Sequence, residues 1–84
     1  MTEYQIEVHI TPREGLLDPE GKAVEHALQA LAFEGVGAVR VGRLVRLHIS
    51  AGDEAAARAR AEEMCRKLLA NPVTEDFSVA LAGD

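Results

Sequence analysis

Apolar and polar residues alternate near the start of the chain. Tyr4, Ile6, Val8 and Ile10 fall on one side, and Gln5, Glu7, His9 and Thr11 on the other. A period of two marks a strand with one buried face. Pro12 to Gly15 break the pattern, and a loop runs on to Asp18. The period then lengthens. Val24, Ala27, Leu28 and Leu31 stand at i, i+3, i+4 and i+7, the spacing of a helix with one buried stripe. Gly35 is placed to stop that helix. Val36 to Gly42 read as a second strand, with Val39 and Val41 on one face and Arg40 on the other. Gly42-Arg43 suits a tight hairpin connection. Leu44 to Ser50 form a third strand, with Val45, Leu47 and Ile49 facing one way and Leu44, Arg46 and His48 the other. Asp53 can cap a second helix running from about Glu54 to Leu69. Its apolar stripe is Ala57, Ala61, Met64, Cys65 and Leu68. Glu54–Arg58, Glu62–Arg66 and Glu63–Lys67 are i,i+4 pairs in the favourable order, the mark of a solvated face. Phe77, Val79 and Leu81 are the apolar side of a last strand that ends at Gly83-Asp84.

The order strand, helix, strand, strand, helix, strand predicts an α+β fold. Right-handed crossovers make it a ferredoxin-like βαββαβ sandwich, a four-stranded antiparallel sheet with two helices on one face. The 84 residues form a single domain, 1–84. The other sheet face carries Gln5, Glu7, His9, Arg40, Leu44, Arg46, His48, Ser78 and Ala80, a mixed surface that is either solvated or packed on a second copy. Edge strands in such a sheet invite pairing between protomers.

Composition narrows the function. A chain of this size buries only about two-thirds of its unfolded surface, so self-association would help it. Hydrophobic residues make up 48% but aromatics only 4%, so Val, Leu, Ile and Ala must build the core. A net charge of −5 argues against a phosphate-tracking nucleic-acid binder. One cysteine excludes an internal disulfide and a cysteine-rich zinc site. There is neither a membrane-length apolar run nor a signal-peptide pattern, so a cytoplasmic location is the expectation.

Candidate chemistry is sparse. Cys65 lies on an apolar stripe, where desolvation raises a thiol's pKa and works against a nucleophile. His9 and His48 share a sheet face but sit toward opposite ends of their strands, and no carboxylate spacing supports a shared metal. His26 lies on the outer side of the first helix. No glycine-rich loop enters a helix to cradle phosphate. The exposed aromatics of an RNA-binding sheet are missing. The residues alone therefore point to a non-catalytic, associating domain. A dimeric domain of the same fold that binds a small regulatory metabolite is the alternative.

Two turns stand out. In Leu16-Leu17-Asp18-Pro19-Glu20-Gly21-Lys22, Asp18 can cap the first helix and Pro19 fits its first position. Gly21 costs about 1 kcal/mol in a helix against Ala, so close approach by another backbone would explain it. In Leu68-Leu69-Ala70-Asn71-Pro72-Val73-Thr74-Glu75, Pro72 drives Asn71 out of helical geometry. These two runs, with Val39-Arg40-Val41-Gly42-Arg43 and Met64-Cys65-Arg66-Lys67-Leu68-Leu69, resemble the PurS family, the small subunits of phosphoribosylformylglycinamidine synthase. Arg43 stands where the family often has lysine, and Phe77 where tyrosine is common.

The resemblance implies a subunit without catalytic residues of its own. It implies partnership with a glutamine amidotransferase subunit (PurQ) and a synthetase subunit (PurL), as a homodimer or higher homo-oligomer. ATP, Mg and glutamine would be used by that complex, which makes formylglycinamidine ribonucleotide in purine synthesis and shelters ammonia in transit. Asp18, Glu20, Lys22, Arg40, Arg43, Asn71 and Glu75 are then candidates for partner contact. Pro19, Gly21, Gly42 and Pro72 shape the turns. Asp18 either caps or meets a partner, and the residues leave both readings open.

Overall fold

The computed structural model describes residues 1–82, so the expected end of the last strand at Gly83-Asp84 lies outside the described residues. Strand β1 (Thr2–Pro12) is the centre of a three-stranded antiparallel sheet, flanked by β2 (Arg43–Ala51) and β3 (Glu75–Leu81). Val8 lies opposite Val45 on one side and Val79 on the other. The alternation therefore works as expected, putting Ile6, Val8, Ile10 and Ile49 on one buried face. Helix α2 (Glu54–Met64) covers that face with Ala57 and Ala61, both fully buried. Small residues there let the helix approach the β-branched sheet closely. Asp53 caps α2 by accepting from Ala56 N–H at 2.8 Å.

A π turn, Cys65–Leu69, continues α2. It inserts extra backbone into the helical ladder and shifts the side chains around the axis. The predicted stripe holds through Ala57, Ala61, half-buried Met64 and buried Cys65. It fails at Leu68, which is 84% exposed, while Leu69 turns to the core in its place. Cys65 is buried in the core, and that burial pushes its thiol above its ordinary pKa, which works against thiolate formation.

Helix α1 (Pro19–Ala30) differs most from expectation. It starts at Pro19 with the Asp18 cap. Its stripe does not reach the core: Val24 is 39% exposed, Leu31 70%, and Gly21 is the helix's buried residue. The helix packs against neither the strands nor α2, and the molecule extends 52 × 28 × 14 Å. Gly35 is not the stop. Ala32, at φ 68°, takes the left-handed position. Its N–H donates to Gln29 O at 3.0 Å, and Phe33 N–H donates to Leu28 O at 3.1 Å. This is a Schellman end with alanine where glycine is usual.

The expected strand Val36–Gly42 is also absent from the sheet, which has three strands rather than four. The segment runs back along α1 instead. Val36 O accepts from Gln29, and Val39 N–H donates to Glu25. Ala38 adopts φ 53°, which breaks an extended strand. No hairpin forms at Gly42-Arg43. Gly42 instead lies so close to Ile10 O that a Cβ would strike it. Residues 19–41 thus form an arm of helix plus returning segment, set apart from the sheet and α2.

Candidate functional site

The two distinctive turns meet at one end of the sheet. Arg13 N–H donates to Thr74 O at 2.9 Å, so the loop after β1 is tied to the turn before β3. The Arg13 guanidinium also donates to Pro72 O and lies 3.4 Å from Asp76. Arg40 reaches back from the arm and donates to Leu16 O at 3.1 Å and Arg13 O at 2.9 Å. Arg43 grips Glu75 with two hydrogen bonds, at 2.9 and 3.0 Å, and donates to Leu69 O. A planar guanidinium matches a carboxylate in this forked geometry, as a lysine ammonium cannot. Asn71 N–H donates to Glu75 Oε1 at 2.8 Å, and Val73 N–H donates to Asn71 Oδ1. The Asn71 amide and then Arg43 hold the Glu75 carboxyl below its ordinary pKa.

Asp18 is the hinge of the arm. One oxygen accepts from Gly21 N–H at 3.0 Å, which is the helix cap. The other accepts from Val41 N–H at 3.0 Å and pins the returning segment to the helix start. These two donors, Gly21 first, hold the Asp18 carboxyl below its ordinary pKa. The close fit explains Gly21, since a Cβ there would strike Asp18 and Val39 O. An asparagine offers only one side-chain acceptor, so it could replace the cap but not the second bond.

Of the candidate contact residues, Asp18, Arg40, Arg43, Asn71 and Glu75 therefore lie in one connected frame. Glu20 and Lys22 stand apart from it, exposed on the first turn of α1, with Lys22 3.9 Å from Glu25. The sequence reading missed Arg13. A lone arginine after a strand carries no signal until the fold brings Pro72, Thr74 and Asp76 beside it.

Beside this frame, Val45, Leu47, Met64, Leu68 and Leu69 line an open apolar groove of about 430 Å³ between β2 and α2. Arg60, Glu63 and Lys67 stand on its rim. β2 is an edge strand of the sheet, paired among the described residues with β1 on one side. Arg60 donates to Ser50 O at 2.9 Å, tying α2 to the end of that strand. His9 and His48 stay apart, pairing opposite Leu44 and Gln5, and His48 contacts Glu3 at 3.0 Å. No cluster of three metal-ligating side chains occurs among the described residues.

A family model described as PurS, phosphoribosylformylglycinamidine (FGAM) synthase, matches residues 5–83. The chain belongs to the PurS family. The PurS subunit of Synechocystis sp. is 42% identical over 74 residues, covering 88% of this chain and 74% of that protein. The Bacillus subtilis PurS subunit is 40% identical over 74 residues, 88% of this chain and 87% of that protein. Among solved structures, Bacillus subtilis PurS aligns with a TM-score of 0.82 at 38% identity, covering 93% of this chain and 96% of that one. A chain in the PurLQS structure from Thermotoga maritima aligns with a TM-score of 0.88 at 26% identity, covering 96% and 99%. The α+β fold, two helices and a three-stranded antiparallel sheet, agrees with these structures. No helix among the described residues is long and apolar enough to cross a membrane.

Proposed function

We propose that this chain is the small, non-catalytic subunit of an FGAM synthase complex. It acts as a homodimer or higher homo-oligomer, joining a glutamine amidotransferase subunit (PurQ) to a synthetase subunit (PurL). ATP, Mg and glutamine are used by those partners, and this chain helps carry ammonia between them. Family membership and the likeness to a chain of the PurLQS structure support this reading.

The observation that carries it is the arm. A helix with an uncovered apolar stripe stands beside a fold that leaves an apolar groove uncovered. A second copy satisfies both, with α1 of one protomer lying in the β2–α2 groove of the other. Charge permits this: the arm carries Glu20, Glu25 and Glu34 with Lys22 and Arg40, and Arg60 and Lys67 stand on the groove rim with Glu63. In that assembly each sheet gains its second covering helix. Val39–Gly42, past the break at Ala38, supplies a short fourth strand along the open edge of β2, completing the ferredoxin-like layer. The frame of Asp18, Arg40, Arg43, Asn71 and Glu75, with Glu20 and Lys22, holds the surface presented to partner subunits. An assembled, water-excluding passage has value because ammonia protonates or escapes in bulk water.

Reconstitution tests the reading. Purified synthetase and glutaminase subunits are supplied with ATP, Mg and formylglycinamide ribonucleotide, with or without this chain. Glutamine-driven turnover should require the chain, while turnover driven by ammonium salt should not. Equal glutamine-driven turnover without it, with no complex formed, would refute the assignment.

A further inference from the structure

The arm and the rest of the chain are complementary pieces of one architecture. A sheet of order β2-β1-β3 with α2 on one face is a ferredoxin-like layer short of a helix beside α2 and a strand outside β2. The arm is a helix followed by a returning run. In the ordinary order that run folds back along β2 of its own chain through a hairpin at Gly42-Arg43. Here the chain goes straight through, and four successive residues hold it straight. Arg40 donates to Leu16 O and Arg13 O, and Val41 N–H donates to Asp18. Gly42 lies against Ile10 O on β1, where a Cβ would strike. Arg43 pairs with Ile10 in the ladder, while its guanidinium grips Glu75 and Leu69 O. A hairpin would have to break the Asp18–Val41 bond and lift Gly42 off β1.

From this we infer that Arg40 to Arg43 form a latch: by holding the junction straight they deny the arm its own groove and commit it to the groove of a second copy, so that two ferredoxin-like domains exchange arms. The latch presupposes the second-copy reading above and supplies the reason the chain does not close on itself. It accounts for an apolar stripe, with Leu31 70% exposed and Val24 39%, in a chain that also carries the uncovered groove of Val45, Leu47 and Met64. Exchange of an element between copies reuses the contacts of the closed form, and a junction with no room to turn favours it. Lengthening the junction reverses the balance. A short flexible linker presents the arm to its own groove at roughly millimolar effective concentration. At micromolar chain the self-closed monomer then wins.

The test inserts Gly-Asn-Gly-Ser between Gly42 and Arg43 of the full chain. Mass is read by sedimentation equilibrium at micromolar concentration. Isotope-filtered NOEs in an equal mixture of labelled and unlabelled chains tell whether the Leu31 methyls meet those of Val45 and Leu47 across chains or within one. The unmodified chain should be a dimer with cross-chain contacts. The lengthened chain should be a monomer with the same contacts inside one chain. A folded lengthened chain that stays dimeric, or a monomer without those contacts, overturns the latch and leaves the second-copy reading intact. An unmodified chain without cross-chain contacts overturns both. Arg40→Met, at an exposed position, decides the matter where the lengthened chain folds poorly. Loosening the latch should raise the dimer Kd by about 3- to 10-fold, the value of one or two hydrogen bonds, with the self-closed contact appearing in the monomer. An unchanged Kd overturns the latch.

Discussion

Replacing Leu31 by Gln tests whether the arm exists to be covered by a second copy. Leu31 sits at the C-terminal end of α1 with 70% of its surface in water, so the isolated fold gains little from it. Full burial of a leucine side chain is worth about 1.5–3 kcal/mol. The part still exposed is therefore worth about 1–2 kcal/mol when a groove covers it. A two-fold dimer contains that contact twice, so L31Q should cost about 2–4 kcal/mol of association free energy, or roughly 30- to 1,000-fold in dimer Kd. Sedimentation equilibrium across a dilution series reads the Kd directly. Far-UV circular dichroism at high concentration should match the unmodified chain, because no core residue has been touched. The refuting result is a dimer Kd within about threefold of the original, which is roughly 0.65 kcal/mol and far below the contact proposed. Loss of the folded state on substitution would refute the detached arm itself, since it would mean that Leu31 supports the core.

Asp18→Asn should keep the helix cap but release the second bond. Hydrogen exchange should then quicken at the Val41 amide while the Gly21 amide stays protected. Acid should loosen the same places. Asp18 and Glu75 have carboxyl pKa values lowered by folding, so the stability they contribute is present above their ordinary values. It is lost as pH falls through the lowered ones, below about pH 4. A pH titration followed by NMR should show Val41 and Asn71 amides shifting in that range, and Asp18→Asn should abolish the Val41 step. Ala32→Gly should stabilise the end of α1 by about 0.5–1 kcal/mol, because a left-handed alanine costs about 1–2 kcal/mol before glycine's greater unfolded freedom is subtracted. Helicity of α1 measured by carbon chemical shifts should rise; a fall would show that the Ala32 methyl makes a contact that matters more than its backbone angle.

Much of this protein follows from local pattern. The alternation of Tyr4 to Ile10, of Val45 to Ile49 and of Phe77 to Leu81 determined three strands and which face each buries, because side-chain direction in a strand depends only on residue parity. The Asp18-Pro19 and Asp53 starts were legible for the same reason, since a cap acts within three residues. The two motif turns were visible as motifs, and the family followed from them. Tertiary structure decided what these elements touch. The period of Val24 to Leu31 says that one side of α1 seeks burial, yet it cannot say against which chain, and the isolated fold leaves that side in water. The π turn moved Leu69 inward in place of Leu68, a one-residue shift invisible to a straight helical period. The Val36–Gly42 run has strand composition, but strands form only where an edge is offered, and Asp18 and Glu25 claimed the amides of Val41 and Val39 first. Asp18 itself shows the division most clearly. Its role as a cap is local and could be read from four residues, whereas its second oxygen found Val41 only because the chain turned back after a helix, 23 residues later.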